Sequence, residues 1–324
     1  MGNMRNKSIQ WPETIALKQR DSFTAIADKV SADFDELLLK ECIDKSSLPD
    51  NILVDLYIPL AAWLVQQQNV QTLIAGINGA QGSGKSTLCL IIQLIIEKGF
   101  DKRVATLSID DLYLTRDQRK TLADTVHPLL QTRGVPGTHD LSLGLSLFEQ
   151  LQSSQTEISL PRFDKAIDDR APVEQWPVLT QPVDIVLFEG WCVGSHPQPA
   201  SALSQAINSL ESEEDSEGCW RHYVNEQLAS GYQTLFDQID VLIMLKIPTM
   251  EKVFEWRALQ EQKLAASHDE QSGVMTEEQI ARFVMHYERI TRTNLEEMPD
   301  RADLVLKLND DHQIYEINTR AVAS

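Results

Sequence analysis

The chain has 324 residues, enough for one large domain or two modest ones, and 42% of them are hydrophobic, enough for a substantial core. Its formal net charge is -19, and a surface of that sign repels nucleic acid and anionic membranes. An anionic ligand must therefore be met by local cations or by a metal.

Residues 1–70 are expected to be a helical extension, with apolar spacing at Phe23, Ile26, Val30, Phe34, Leu37 and Leu38. Met1-Gly2-Asn3-Met4-Arg5-Asn6 lacks the Ser or Thr of a myristoylation site, and no apolar leader core follows it, so a cytoplasmic location is expected. The apolar stretch 52–65 is interrupted by Asp55 and Pro59 and is too short to span a bilayer; it reads as a buried helix. Cys42, Cys89, Cys192 and Cys219 show no paired spacing, which predicts reduced thiols, not a zinc site or a disulfide framework.

From residue 72 strands and helices alternate. Strands are expected at 73–77, 104–109, 184–188, 241–247 and 303–308. The near-continuous apolar runs at 183–188 and 241–245 predict a sheet covered on both faces. The fold class is thus α/β, a doubly wound and mainly parallel sheet with helices on both faces, over 71–324.

Gly79-Ala80-Gln81-Gly82-Ser83-Gly84-Lys85-Ser86 satisfies the Walker A pattern, which identifies a P-loop NTPase fold. An apolar strand precedes it and a helix-forming run from Thr87 to Glu97 follows. Glycines let successive N–H groups point at one anion, and the helix N-terminus adds partial positive charge. Lys85 is expected to reach the β- and γ-phosphates of ATP, and the Ser86 hydroxyl to hold Mg2+.

Asp110 and Asp111 close the second strand, within Leu107-Ser108-Ile109-Asp110-Asp111-Leu112-Tyr113. Strand ends line the ligand crevice of open α/β sheets. An Asp there can take a hydroxyl proton, ligate Mg2+ through water, or simply cap a turn. The segment 133–140 is rich in Gly and Pro and carries Arg133, His139 and Asp140. Lys165 and Arg170 suit an anionic acceptor, since a carboxylate favours an ammonium or an Arg fork, although each alone also suits a surface ion pair. Glu189, in Leu187-Phe188-Glu189-Gly190-Trp191, stands where a Walker B acid organises Mg2+.

Residues 194–233 form an insertion whose acidic run, Glu211-Ser212-Glu213-Glu214-Asp215-Ser216-Glu217, is expected to be solvated and mobile and to carry no chemistry. Helices at 249–266, with Lys252, Arg257 and Lys263, and at 276–292, with Arg282, Arg289 and Arg292, joined by a polar hinge at 267–274, suggest a lid over 249–292 or a charged surface hairpin. Arg257 is the best single candidate for a cation over the phosphates. Trp256 is expected in the core.

Together these strings resemble the uridine kinase, phosphoribulokinase and pantothenate kinase superfamily of P-loop kinases, and within it the D-glycerate 3-kinases. The resemblance rests on Gly79 to Ser86, Asp110-Asp111-Leu112-Tyr113, Arg133-Gly134-Val135-Pro136-Gly137-Thr138-His139-Asp140 and Pro161-Arg162-Phe163-Asp164-Lys165-Ala166. Asp169-Arg170, Glu189-Gly190-Trp191, Trp256-Arg257 with Gln260-Glu261, Phe283-Val284 and Tyr287 complete it, and it covers about residues 70–310. It implies ATP-dependent phosphorylation of a small hydroxy acid or polyol, D-glycerate first, with ATP and Mg2+ as cofactors and neither nucleic acid nor membrane as partner. It further implies Asp110, Lys85 and Arg257 as catalytic residues. Gly79, Ala80, Gln81, Gly82, Ser83, Gly84, Lys85, Ser86 and Thr87 would hold the nucleotide. Asp111, Tyr113, Arg133, His139, Asp140, Asp164, Lys165 and Arg170 would meet the acceptor, and Ser86, Asp110 and Glu189 the metal. A GTPase would carry Asn-Lys-x-Asp, which is absent. A mechanical ATPase would want nucleic-acid or partner modules, and none is evident. A nucleoside acceptor, or a non-catalytic ATP-binding regulator, stays open.

Overall fold

In the computed structural model, which describes residues 9, 11–12, 22–69, 71–153, 155–267 and 275–320 (backbone only over 260–267), the apolar run at 73–77 continues through Gly79. This strand, β1 (Leu73–Gly79), is buried along its whole length. Burial on both faces follows from its place in the middle of a six-stranded sheet. With β2 (Val104–Ser108), β3 (Ile185–Gly190), β4 (Val241–Lys246), β5 (Leu304–Leu308) and β6 (Ile314–Thr319), the order is β6-β5-β4-β1-β3-β2. All neighbours are parallel except β5 and β6. The antiparallel edge strand β6 is not anticipated from the sequence. A register shift between Ile314 and Glu316 breaks the period-two pattern that would have revealed it.

Helices cover both faces, as expected. On one, α1 (Phe23–Lys40) and α2 (Ile58–Gln67) pack with α3 (Lys85–Phe100). The buried side chains of α1, Phe23, Val30, Phe34 and Leu38, follow helical spacing. The 52–65 run is a widened turn (Leu53–Tyr57) leading into α2, whose residues 58–64 are all buried. Pro59, lacking an N–H, sits in the first turn of α2, where that donor has no intrahelical use. The opposite core holds α5 (Leu141–Gln152), α6 (Ser209–Glu214) through Leu210, α7 (Cys219–Gln227) and α8 (Gln233–Phe236), with α4 (Arg116–Thr125) packed against it through Leu122. Helices α9 (Met250–Ser267) and α10 (Glu277–Glu297) pack on each other. Trp256 is buried, as expected of a core residue. Cys89 and Cys192 are buried, and all four cysteines are free thiols. Among the described residues no helix is long and apolar enough to cross a membrane.

The acidic run departs from expectation. Ser212, Glu213, Glu214, Ser216 and Glu217 are exposed, but Glu211 is 0% and Asp215 2% exposed. Arg289 of α10 grips both Glu211 oxygens at 2.6 and 2.7 Å and also donates to the carbonyls of Ala202 and Gln205. Asp215 accepts from Arg221 at 2.9 Å and from the Trp220 and Arg221 amides. Composition marks the run as solvated, but two of its acids are buried against arginines, Asp215 against the nearby Arg221 and Glu211 against the distant Arg289. The Glu211 contacts knit the segment to α10. We expect Arg289→Met to cost about 3–5 kcal/mol, because it strands a buried carboxylate. Removing the half-exposed Arg282–Glu214 pair should cost less than about 1 kcal/mol. Urea unfolding reads both, and equal midpoint shifts for the two variants would contradict this picture.

Candidate active site

The loop after β1 turns on Gly82 and Gly84, whose φ angles of 78° and 86° are left-handed. A Cβ on Gly82 would come within 2.9 Å of Trp256 Cβ, so this loop has no room for a side chain there. Ala80 is buried, Ser83 Oγ and Gln81 Oε1 are buried without hydrogen-bond partners, and Lys85, Ser86 and Thr87 form the first turn of α3.

Strand register brings the acids to the same crevice. Ile77 of β1 lies beside Glu189 of β3, and Glu189 beside Ser108 of β2. Ser86 Oγ donates to Glu189 Oε1 at 2.9 Å, and Lys85 Nζ stands 3.9 Å from Oε2. That Oε2 is buried and accepts no hydrogen bond. An orphaned carboxylate oxygen beside a hydroxyl at a phosphate loop fits a divalent cation. Among the described residues no group of three or more His, Cys, Asp or Glu could hold a metal.

Asp110 and Asp111 sit in the 3-10 turn Ile109–Leu112 directly after β2 and face different ways. Asp110 Oδ1 accepts from the Tyr113 hydroxyl at 2.7 Å, and Oδ2 pairs with Lys165 Nζ at 2.6 Å. Burial alone would raise its pKa. The Lys165 ammonium, the two hydrogen bonds and Lys85 outweigh burial and hold it at about 2. Asp111 has both oxygens engaged, by Arg162 Nη1 and by the Phe163 amide, each at 3.1 Å. Its pKa is raised, chiefly by burial, against the pull of Arg162. Asp111, expected among the acceptor contacts, thus fastens the hairpin that pairs Phe163–Asp164 with Asp169–Arg170.

That hairpin delivers the cations. Lys165 is at its turn, where Asp164 Oδ1 accepts from the Ala166 amide. Arg170 Nη2 donates to the Tyr113 carbonyl at 3.0 Å and to Asp140 Oδ2 at 3.1 Å, while its Nε is buried without a partner. Asp140 Oδ1 meanwhile caps α5 through the Leu143 amide. Arg133 pairs with Asp168 and lies 5.4 Å over the Phe163 ring. His139 is 4% exposed, stacks on Tyr113 with centroids 4.7 Å apart, and has its pKa lowered by burial to about 4, so it is neutral at physiological pH. Lys165, Arg170 and His139 therefore converge on Asp110 and Tyr113. Asp164 serves the turn, and Arg133 serves the hairpin through Asp168.

Arg257 stacks over Phe283 at 5.2 Å, with its backbone amide beside Gly82. Arg257 Nη2 also lies 3.7 Å from Met275 Sδ, and of the described lid cations Lys252 pairs with Glu255 and Asp310, Arg282 with Glu214, Arg289 with Glu211 and Arg292 with Glu288. The Lys263 side chain and the hinge at 268–274 lie outside the described residues.

Sequence reasoning assigns no role to several supporting residues. Arg119, 1% exposed, donates to the carbonyls of Leu114, Gln131 and Asp168 and pairs with the Asp168 carboxylate; a lone Arg in a polar helix gives no signal of this. Asn78 donates to the carbonyls of Trp191 and Val193 at 3.1 and 2.8 Å, tying the end of β1 to the exit of β3. Trp191 Nε1 donates to the Gly134 carbonyl at 3.0 Å, and the Tyr287 hydroxyl to the Arg133 carbonyl at 3.1 Å. Gly134 has φ 132° and packs so close under the Tyr287 hydroxyl that no Cβ would fit.

No protein-family model matches the chain. It is 31% identical over 251 residues to the chloroplastic D-glycerate 3-kinase of Arabidopsis thaliana, 71% of this chain and 52% of that one, so it spans about half of that relative's length. It is 36% identical over 222 residues to an uncharacterised kinase of Schizosaccharomyces pombe, mug58, covering 66% of this chain and 78% of the relative. Among solved structures, a D-glycerate 3-kinase from Cryptococcus neoformans superposes with a TM-score of 0.67 at 25% identity, over 80% of this chain and 97% of the other.

Proposed function

The chain belongs to the family of P-loop kinases that contains these D-glycerate 3-kinases, and from that premise we propose that it transfers the γ-phosphoryl group of ATP to a hydroxyl of D-glycerate, giving ADP and 3-phosphoglycerate. The observation that carries this reading is the ionised Asp110, held by Tyr113 between the phosphate loop and the cations Lys165 and Arg170. Transfer of a phosphoryl group needs alignment and charge neutralisation more than a strong nucleophile. Lys85 neutralises charge on the γ-phosphate. Asp110 orients the acceptor hydroxyl and takes its proton late, as the new O–P bond forms and the bond to ADP breaks. Ser86 and Glu189 are the residues that would hold Mg2+, which supplies further neutralisation of phosphate charge. Arg257 is assigned to the phosphates from its place beside Gly82. Helices α1 and α2 are an extension to a kinase domain at 71–324, and the four free thiols favour a reducing, cytoplasmic setting.

An acceptor carboxylate cannot enter a closed site unpaired without a desolvation cost of several kcal/mol. Arg170 meets it with a buried Nε–H that has no other acceptor. Arg170→Ala should raise the D-glycerate KM about 10- to 150-fold, the worth of about 1.5–3 kcal/mol for a charge-assisted hydrogen bond, with the ATP KM nearly unchanged. The same substitution in Lys165 also disturbs Asp110, so a fall in kcat should accompany its KM effect. The decisive measurement is a coupled ADP-release screen against D-glycerate, uridine, pantothenate and sugar alcohols. D-glycerate should turn over fastest; faster turnover of uridine would replace this reading with a nucleoside kinase.

A further inference from the structure

Tyr232 ends the turn Leu228–Tyr232, beyond the acidic segment, and is fully buried. Its hydroxyl is met by backbone amides of the acceptor segment, Gly137 and His139, and by the His139 ring. The Gly137 amide donates to it at 2.9 Å, and His139 Nδ1 lies 2.5 Å away. A phenol carries one proton, and an amide N–H can only donate. If the phenol donates to Nδ1, His139 bears its proton on Nε2, and a single polar group, Nε2–H, is left without a partner. If Nδ1–H donates to the phenol instead, both the phenol proton and the Nε2 lone pair are left unpaired in the interior. Buried polar groups are rarely left unpaired, so the first arrangement holds.

The remaining Nε2 is buried and has no partner. So is Arg170 Nε. Both groups pack around one residue: His139 bridges and stacks on Tyr113, and Arg170 donates to the Tyr113 carbonyl. Tyr113 in turn holds Asp110. Two unmatched N–H donors flank the tyrosine that carries the base. Unmatched donors call for an acceptor-rich ligand.

We propose that Tyr232 is a positioning residue that fixes His139 as the Nε2–H tautomer, so that its imidazole offers an N–H donor to an oxygen of the phosphoryl acceptor, in step with Arg170. The inference rests on the kinase reading above and deepens it. It gives His139 the role of a neutral donor, distinct from a base, and makes the Tyr232 hydroxyl part of the acceptor's recognition without touching it.

The tautomer is read directly by long-range 1H–15N spectra of the full chain labelled at histidine, with no acceptor added and His139 assigned by difference from His139→Gln. Nδ1 should show the shift of an unprotonated nitrogen and Nε2 that of a protonated one; the reverse pattern overturns the proposal. In kinetics, Tyr232→Phe should raise the D-glycerate KM about 2- to 10-fold and leave the ATP KM unchanged, the scale of one misdirected hydrogen bond. His139→Gln keeps an N–H donor at similar reach and needs no tautomer, so adding Tyr232→Phe to it should cost nothing further. Full additivity of the two substitutions overturns the proposal. Should Tyr232→Phe fail to fold, the wild-type spectrum still decides. Because that spectrum is taken without acceptor, a failed D-glycerate screen leaves it intact, whereas the wrong tautomer defeats the proposal even if D-glycerate is the substrate.

Discussion

Lys85→Ala should abolish the proposed phosphorylation, by at least about 10³-fold in kcat, and should leave the thermal midpoint close to wild type. The size follows from the nature of the reaction. A loose phosphoryl-transfer transition state is stabilised by preorganised positive charge, and removing one such contact in a water-poor site costs about 10²–10³ before any loss of alignment is counted. The small stability effect follows from the surroundings. Among the described residues the only charged neighbour of Lys85 within 4.0 Å is Glu189, at 3.9 Å, and Glu189 keeps its bond from Ser86. ADP release beside a thermal melt tests both halves. Near-wild-type turnover would remove the nucleotide-site assignment altogether.

Asp110→Asn should lower kcat by about 10²–10⁴-fold, the usual worth of a positioned base, with the ATP KM retained. Asp111→Asn should behave differently. Its carboxylate holds Arg162 and the Phe163 amide, so the expected loss is in stability and hairpin order, with kcat the lesser effect. If Asp111→Asn is crippling and Asp110→Asn mild, the roles are reversed. A pH signature accompanies this contrast. The folded pKa of Asp110 is depressed to about 2, against about 3.9 for an unperturbed Asp. Its charged form therefore contributes stability that is full above about pH 4 and is lost as pH falls towards 2. Asp110→Asn should remove that part of the acid transition, measurable by unfolding at pH 2–5.

Much of this was legible in the residues, for reasons that differ by element. The central strands announce themselves because a strand buried on both faces is apolar along most of its length, as β1 and β3 are up to Asn78 and Glu189 at their C-terminal ends. The phosphate loop is legible because its glycines are demanded by left-handed backbone at Gly82 and Gly84. The edge strand β6 was hidden by its bulge, and the buried state of Glu211 by the exposed acids around it. The division of labour between Asp110 and Asp111 could not be read from adjacent, identical side chains. It is decided by a hairpin more than fifty residues away in sequence, which sends Lys165 to one and Arg162 to the other. Likewise nothing local predicts that Tyr232 ends beside His139, 93 residues earlier in the chain.

The chain of short polar links from Asn78 to Trp191, from Trp191 to Gly134, and from Tyr287 to Arg133 acts as a gauge. Asn78 sets the exit of β3 against β1, and the indole sets the acceptor loop against that exit. The span from the phosphate loop to the segment carrying His139 is then a fixed length, bridged by stiff rings that cannot stretch. On the proposed kinase reading, an acceptor would be measured against that span before any of its own groups are recognised. Widening the enzyme to longer molecules would accordingly begin at Trp191 or Tyr287, neither of which need ever meet them, and narrowing it would begin at the charged hairpin.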